Sequence, residues 1–156
     1  MSHALRFRFW IAAAGLAAGL MIIVLAGDPV RADVELSYAE FDGEHGSATA
    51  GNYIARTAAE WQALWRLANA EPQGDFKEGE HTGVGIFLGE RPTGGYKVRV
   101  RKVVDDAGKI EVKMEEMIPT GIVTQVITHP YKIVLIRSTA GRTVLDKRID
   151  LSPVPE

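Results

Sequence analysis

The stretch Val84-Gly85-Ile86-Phe87-Leu88-Gly89-Glu90-Arg91-Pro92-Thr93-Gly94-Gly95-Tyr96-Lys97-Val98-Arg99-Val100 decides the fold. Val84, Ile86 and Leu88, then Tyr96, Val98 and Val100, recur at the two-residue period of a strand. The residues between them suit a loop. Pro92 fixes φ near −65° at the first turn position. Gly94 is expected to take the left-handed conformation that closes a three-residue hairpin loop, with Gly95 adding slack beside it. Pairing Arg91 with Gly95 sets Leu88 opposite Val98 and Ile86 opposite Val100, so the apolar side chains share one face. Two strands, 84–90 and 96–104, are therefore expected to form a hairpin whose tip is 91–96.

Outward from this hairpin the same grammar recurs. Asp106-Ala107-Gly108 reads as a second turn, setting Val104 against Ile110, Val100 against Met114 and Arg99 against Glu115. The even face (Ile110, Val112, Met114) is apolar and the odd face (Lys97, Arg99, Arg101, Lys113, Glu115) is charged; Lys102 breaks the pattern. Residues 131–137 form a nearly continuous apolar run, as a central strand requires, and Thr139-Ala140-Gly141 leads to a last strand over 143–151. Strands are also expected over 34–41 and 52–56, with a further one at 122–127. The polar stretch 70–82 reads as a long solvated loop.

One helix interrupts the strands. Thr57-Ala58-Ala59-Glu60 is a capping box. Trp61, Leu64, Trp65 and Ala68 follow at i, i+3, i+4 and i+7 on one face. Such a stripe must be buried against something, which places the helix on the sheet. The fold class is mainly β (α+β): an antiparallel sheet or sandwich with one amphipathic helix.

The N-terminus reads as an export segment. Arg6 and Arg8 precede an uninterrupted apolar run over 9–26, and Val30-Arg31-Ala32 supplies small residues at the cleavage position. Residues 1–32 are thus expected to be a signal peptide, or an N-terminal membrane anchor if uncleaved, since the run is near the lower limit for a membrane span. Residues 33–156 are expected to form a single exported domain in the bacterial cell envelope, periplasmic or secreted. Residues 1–32 take with them Arg6, Arg8, Arg31 and Asp28, leaving 15 basic and 19 acidic residues. No basic field attracts nucleic acid.

The chain offers little to catalysis. It has no cysteine, which excludes disulfides, thiol nucleophiles and cysteine-based zinc sites. His45, His81 and His129 have no ligand partner at short spacing. No serine sits in a nucleophile elbow. Asp105-Asp106 and Glu115-Glu116 are adjacent pairs, and neighbours on a strand face opposite ways. No catalytic residue, metal or cofactor is expected. The candidate site is instead a binding loop: Arg91, Pro92, Thr93, Gly94, Gly95 and Tyr96. A stiff loop loses little entropy on docking, and Arg and Tyr are enriched where interfaces hold tightest. The same residues also read simply as a turn.

Gly89-Glu90-Arg91-Pro92-Thr93-Gly94-Gly95-Tyr96-Lys97-Val98 resembles the C-terminal domain of the PrcB family of protease-complex subunits. Gln125-Val126-Ile127-Thr128-His129-Pro130-Tyr131-Lys132-Ile133-Val134 fits a second block of that family, and the resemblance spans about 52–137. It implies a non-catalytic, exported accessory or stabilising subunit whose partner is an envelope protease. A lipid-anchored member needs an N-terminal cysteine, which this chain lacks, so any anchorage falls to residues 9–26. The tip is also similar to the Asn-Pro-Thr-Thr-Gly-Tyr loop of chagasin-type cysteine protease inhibitors. Here Arg91 stands for Asn and Gly94 for the second Thr. That similarity implies the alternative, a protease inhibitor using the 91–96 loop.

Overall fold

The structure, a computed structural model, describes residues 34–137 and the backbone of strand 142–146. In chain order the elements are β1 (Val34–Glu35), β2 (Tyr38–Gly43), β3 (Gly51–Ala55), α1 (Ala58–Leu67), β4 (Thr82–Phe87), β5 (Lys97–Asp106), β6 (Lys109–Met117), β7 (Tyr131–Ile136) and β8 (Arg142–Asp146). They form two four-stranded sheets, ordered β1-β5-β6-β8 and β2-β7-β4-β3. All pairings are antiparallel except β6 with β8.

The second sheet is the middle layer. Every residue of β4 and β7 is buried, because one face meets the other sheet and the opposite face meets α1. Between the sheets lie Val84, Ile86, Val134 and Ile136 against Val98, Val100, Val103, Ile110 and Val112. On the far face α1 and its C-cap set Trp61, Leu64, Trp65 and Ala68 on Phe87, Tyr131, Ile133 and Leu135. The apolar run at 131–136 is thus a central strand, as its composition requires.

Helix and sheet approach closely because β4 alternates glycine on that face. A Cβ at Gly83 would lie 2.6 Å from Trp61 Cε3, and one at Gly85 2.8 Å from Leu64 Cδ2. The helix begins as its sequence dictates. Thr57 Oγ1 accepts from the Glu60 amide, and Glu60 Oε2 accepts from the amides of Thr57 and Arg56. The 70–82 connection is tied down beneath the helix: the Phe76 ring stacks on Trp61 at 5.2 Å, and Glu78 accepts from the Ala58 amide.

Several expected pairings are overturned. Segments 84–90 and 96–104 are not a hairpin: β4 and β5 belong to opposite sheets. Ile86, Val98 and Val100 do meet, but across the core rather than along a ladder. Both edges of β4 are already taken, by β3 and β7, so 88–96 must cross between layers. Likewise β7 and β8 lie in different sheets, with the 139–141 turn and residues 147–151 outside the described residues. The expected strand 34–41 splits into β1 and β2, which join different sheets through Leu36-Ser37. Residues 122–127 form no strand.

The β5–β6 hairpin is present, with Val100 opposite Met114 and Arg99 opposite Glu115 as expected. A bulge between Val100 and Lys102 then shifts the register, so that Val104 faces Glu111 rather than Ile110. The loop accordingly has two residues, Ala107 (φ 53°) and Gly108 (φ 84°), instead of three. The bulge resolves the misplaced lysine. It turns Lys102 to the side of Lys113 and puts Val103 in the core. Arg99 and Arg101 both reach Glu115, at 3.1 and 2.7 Å.

Candidate interaction site

Because 88–96 crosses between sheets, its backbone needs partners outside any ladder. It finds them on the loop that precedes β7. The Arg91 amide donates to Thr128 O at 2.8 Å, and the Thr128 amide returns a bond to Arg91 O at 3.0 Å. The Gly94 amide donates to Thr124 O at 2.9 Å. Thr128, itself buried, donates its hydroxyl to Thr93 O at 2.9 Å. The two loops are cross-bonded into one surface.

Arg91 is the hinge of this arrangement. Its Nε donates to Glu116 Oε1 at 2.7 Å, and one terminal nitrogen donates to the carbonyls of Leu88 and Glu90. Its guanidinium carbon stands 5.7 Å from the centre of the Tyr96 ring, within cation–π range. The side chain is 24% exposed and that of Glu116 13%, so the pair is largely shielded. Arg91 and Thr93 do not project from the expected hairpin tip: both are half-buried, and the loop lies down on 124–128.

The glycines exchange roles as well. Gly95, not Gly94, takes the left-handed conformation, at φ 90°. A Cβ there would also lie 2.9 Å from Pro119 Cβ. Gly94 is buried against Thr124. What faces solvent from 91–96 is Pro92 and Gly95, with Tyr96 half-buried.

Beside them stands a feature that reading the sequence missed. Ile122 is fully exposed, and Val126 and Ile127 are more than half exposed. Their β-branched composition read as a buried strand. The signal that could have separated the two readings is Pro119-Thr120-Gly121 and His129-Pro130, which bound the segment closely on both sides.

The histidines are structural in their contacts. His129 and His45 meet at an isolated backbone bridge, and His81 Nδ1 accepts from the Lys77 amide. Among the described residues no group of three or more His, Cys, Asp or Glu could hold a metal ion. Nor, among them, is any helix long and apolar enough to cross a membrane; the expected export segment 1–32 lies outside the described residues.

Residues 82–137 match the family model described as PrcB C-terminal. The match runs from the first residue of β4 to the residue after β7, so it contains both bonded loops. Over those residues the chain is PrcB-like. No curated protein and no solved structure matches the chain.

Proposed function

We propose that the chain is an exported, non-catalytic accessory subunit that docks on an envelope protease through the paired loops 91–96 and 122–128. One observation carries this reading. The family-matched segment holds both loops, bonds them rigidly together, and leaves Ile122, Val126 and Ile127 in solvent. Three exposed aliphatic residues within six positions of a pinned loop form a local apolar surface of the kind that marks a contact site. Export follows from Arg6, Arg8, the apolar run and Val30-Arg31-Ala32; the envelope form should weigh as residues 33–156.

The test is capture of envelope proteases by the tagged protein, compared with Ile122→Asp/Ile127→Asp. Both side chains are exposed, so the fold should move by no more than about 0.5 kcal/mol per site. Protease association should fall at least about tenfold. Equal capture by the folded double variant puts the interface elsewhere. Peptidase activity that drops on adding the protein would favour an inhibitor over a stabilising subunit.

A further inference from the structure

The two sheets do not close on each other along their whole length. Between them opens a cavity of about 200 Å3, lined by Ile86, Leu88, Val98 and Met114 together with Asn52, Arg91, Glu115 and Glu116. It lies beside β3, the outer strand of the middle sheet. Asn52 and Ile86 are register partners and both line the cavity. A residue placed opposite Asn52 on a further strand would therefore face the same opening.

β3 differs from the molecule's other edges. Its sequence, Gly51-Asn52-Tyr53-Ile54-Ala55, has no charge, no proline and no bulge, and Tyr53 and Ile54 are 38% exposed. The opposite edge of the same sheet, β2, carries Glu40 and Asp42. In the other sheet β1 covers only Asp105 and Val104 of β5, and the rest of that edge carries Lys97, Arg99 and Arg101. Charges, prolines and bulges are how proteins keep an edge from pairing with another chain. β3 alone lacks them, and among the described strands nothing pairs with its outer side.

We infer that β3 is a strand-addition site: an extended, uncharged segment of a protein partner pairs with it as a fifth strand and lodges an aliphatic side chain in the cavity between the sheets. The source of the segment rests on the docking function proposed above. The backbone of β3 supplies affinity for any extended chain, and the cavity supplies the preference for one apolar side chain. The cavity suits a Leu-sized group, and the charged residues on its lining are already paired: Arg91 with Glu116, and Glu115 with Arg99 and Arg101. A second copy of the chain is a poorer occupant. A five-residue edge is about 17 Å long, too little for the roughly 1,200 Å2 that a stable symmetric interface buries. Arg91 also joins this opening to the 91–96 loop, so strand site and loop surface are continuous.

The test titrates the full 15N- and methyl-labelled chain, in mild detergent, with a capped heptapeptide, Thr-Val-Thr-Leu-Thr-Val-Thr, at millimolar concentration. The expected result is amide shifts across 51–55 together with methyl shifts at Met114 and Leu88. Replacing the central Leu by Asp should remove the methyl shifts, and Ile54→Lys, at an exposed position, should weaken binding severalfold while leaving the helix signals unchanged. Shifts confined to 122–128, no shifts at all, or concentration-dependent dimerisation through 51–55 without peptide would each overturn the assignment. The peptide result does not depend on capturing a protease, so a failed capture with successful strand addition rejects only the protease reading.

Discussion

The turn at 107–108 and the loop at 91–96 look alike in sequence and are opposite in structure. Each ends a strand run, closes on glycine and reopens on an alternating run. The first is a bare two-residue hairpin turn, and a Cβ at Gly108 would meet nothing within 4 Å. The second carries the chain from one sheet to the other and is held by Thr124, Thr128 and Glu116. Turn residues state that a chain reverses or bends. They do not state whether the strand that follows returns to the same sheet; the number of free edges on the preceding strand decides that.

The largest expected effect exploits the glycines. Gly95→Ala must place a Cβ at φ 90° and against Pro119. Gly108→Ala meets only the backbone strain, at φ 84°. The strain costs about 1–2 kcal/mol in either, and the collision should bring Gly95→Ala to roughly 3 kcal/mol or more. Urea melts of the two variants measure the gap; equal losses would mean that 95 is as unencumbered as 108.

The arginines give the next contrast. Arg91→Ala strands Glu116 in a shielded position and should cost about 1–3 kcal/mol. Arg101, more than half exposed, shares Glu115 with Arg99, so Arg101→Ala should cost less than about 1 kcal/mol. A loss at 91 no larger than that at 101 would show that the loop is not pinned by its ion pair. This contrast also means that Arg91→Ala cannot by itself report on partner binding, whereas Ile122 and Ile127 can.

The smallest effect is a control in the helix. Backbone hydrogen bonds from Arg56 and then Thr57 hold the Glu60 carboxyl below its ordinary value. A carboxylate depressed in the folded state adds stability above its unfolded pKa and loses it as pH falls through the folded one. Helix fraying, read from tryptophan fluorescence at 61 and 65, should therefore begin as acid titrates Glu60 and be absent from that window in Glu60→Gln.

Much of this molecule was legible before its structure. The capping box and four-residue stripe gave the helix to within a residue, because both are local. The nearly continuous apolar run gave β7 as a central strand. The β5–β6 hairpin was legible up to its bulge, and the one sign of the bulge was Lys102 in an apolar row. The sheet partners of β4 were hidden because alternation sets Ile86 and Val98 on a common core whether they are ladder neighbours or face each other across 10 Å. Half of the candidate site was hidden for a different reason. Ile122, Val126 and Ile127 have the composition of a strand, and composition carries no record of whether an apolar side chain is covered.

The claim that the pinned loop pair, not the bare turn, faces the partner can be tested by photo-crosslinking in the intact cell envelope. A photoreactive residue replaces Ile122 in one variant and Ala107 in another, both at exposed positions. The account predicts a protease adduct from position 122 and none from 107. An adduct from 107 with none from 122 would contradict it.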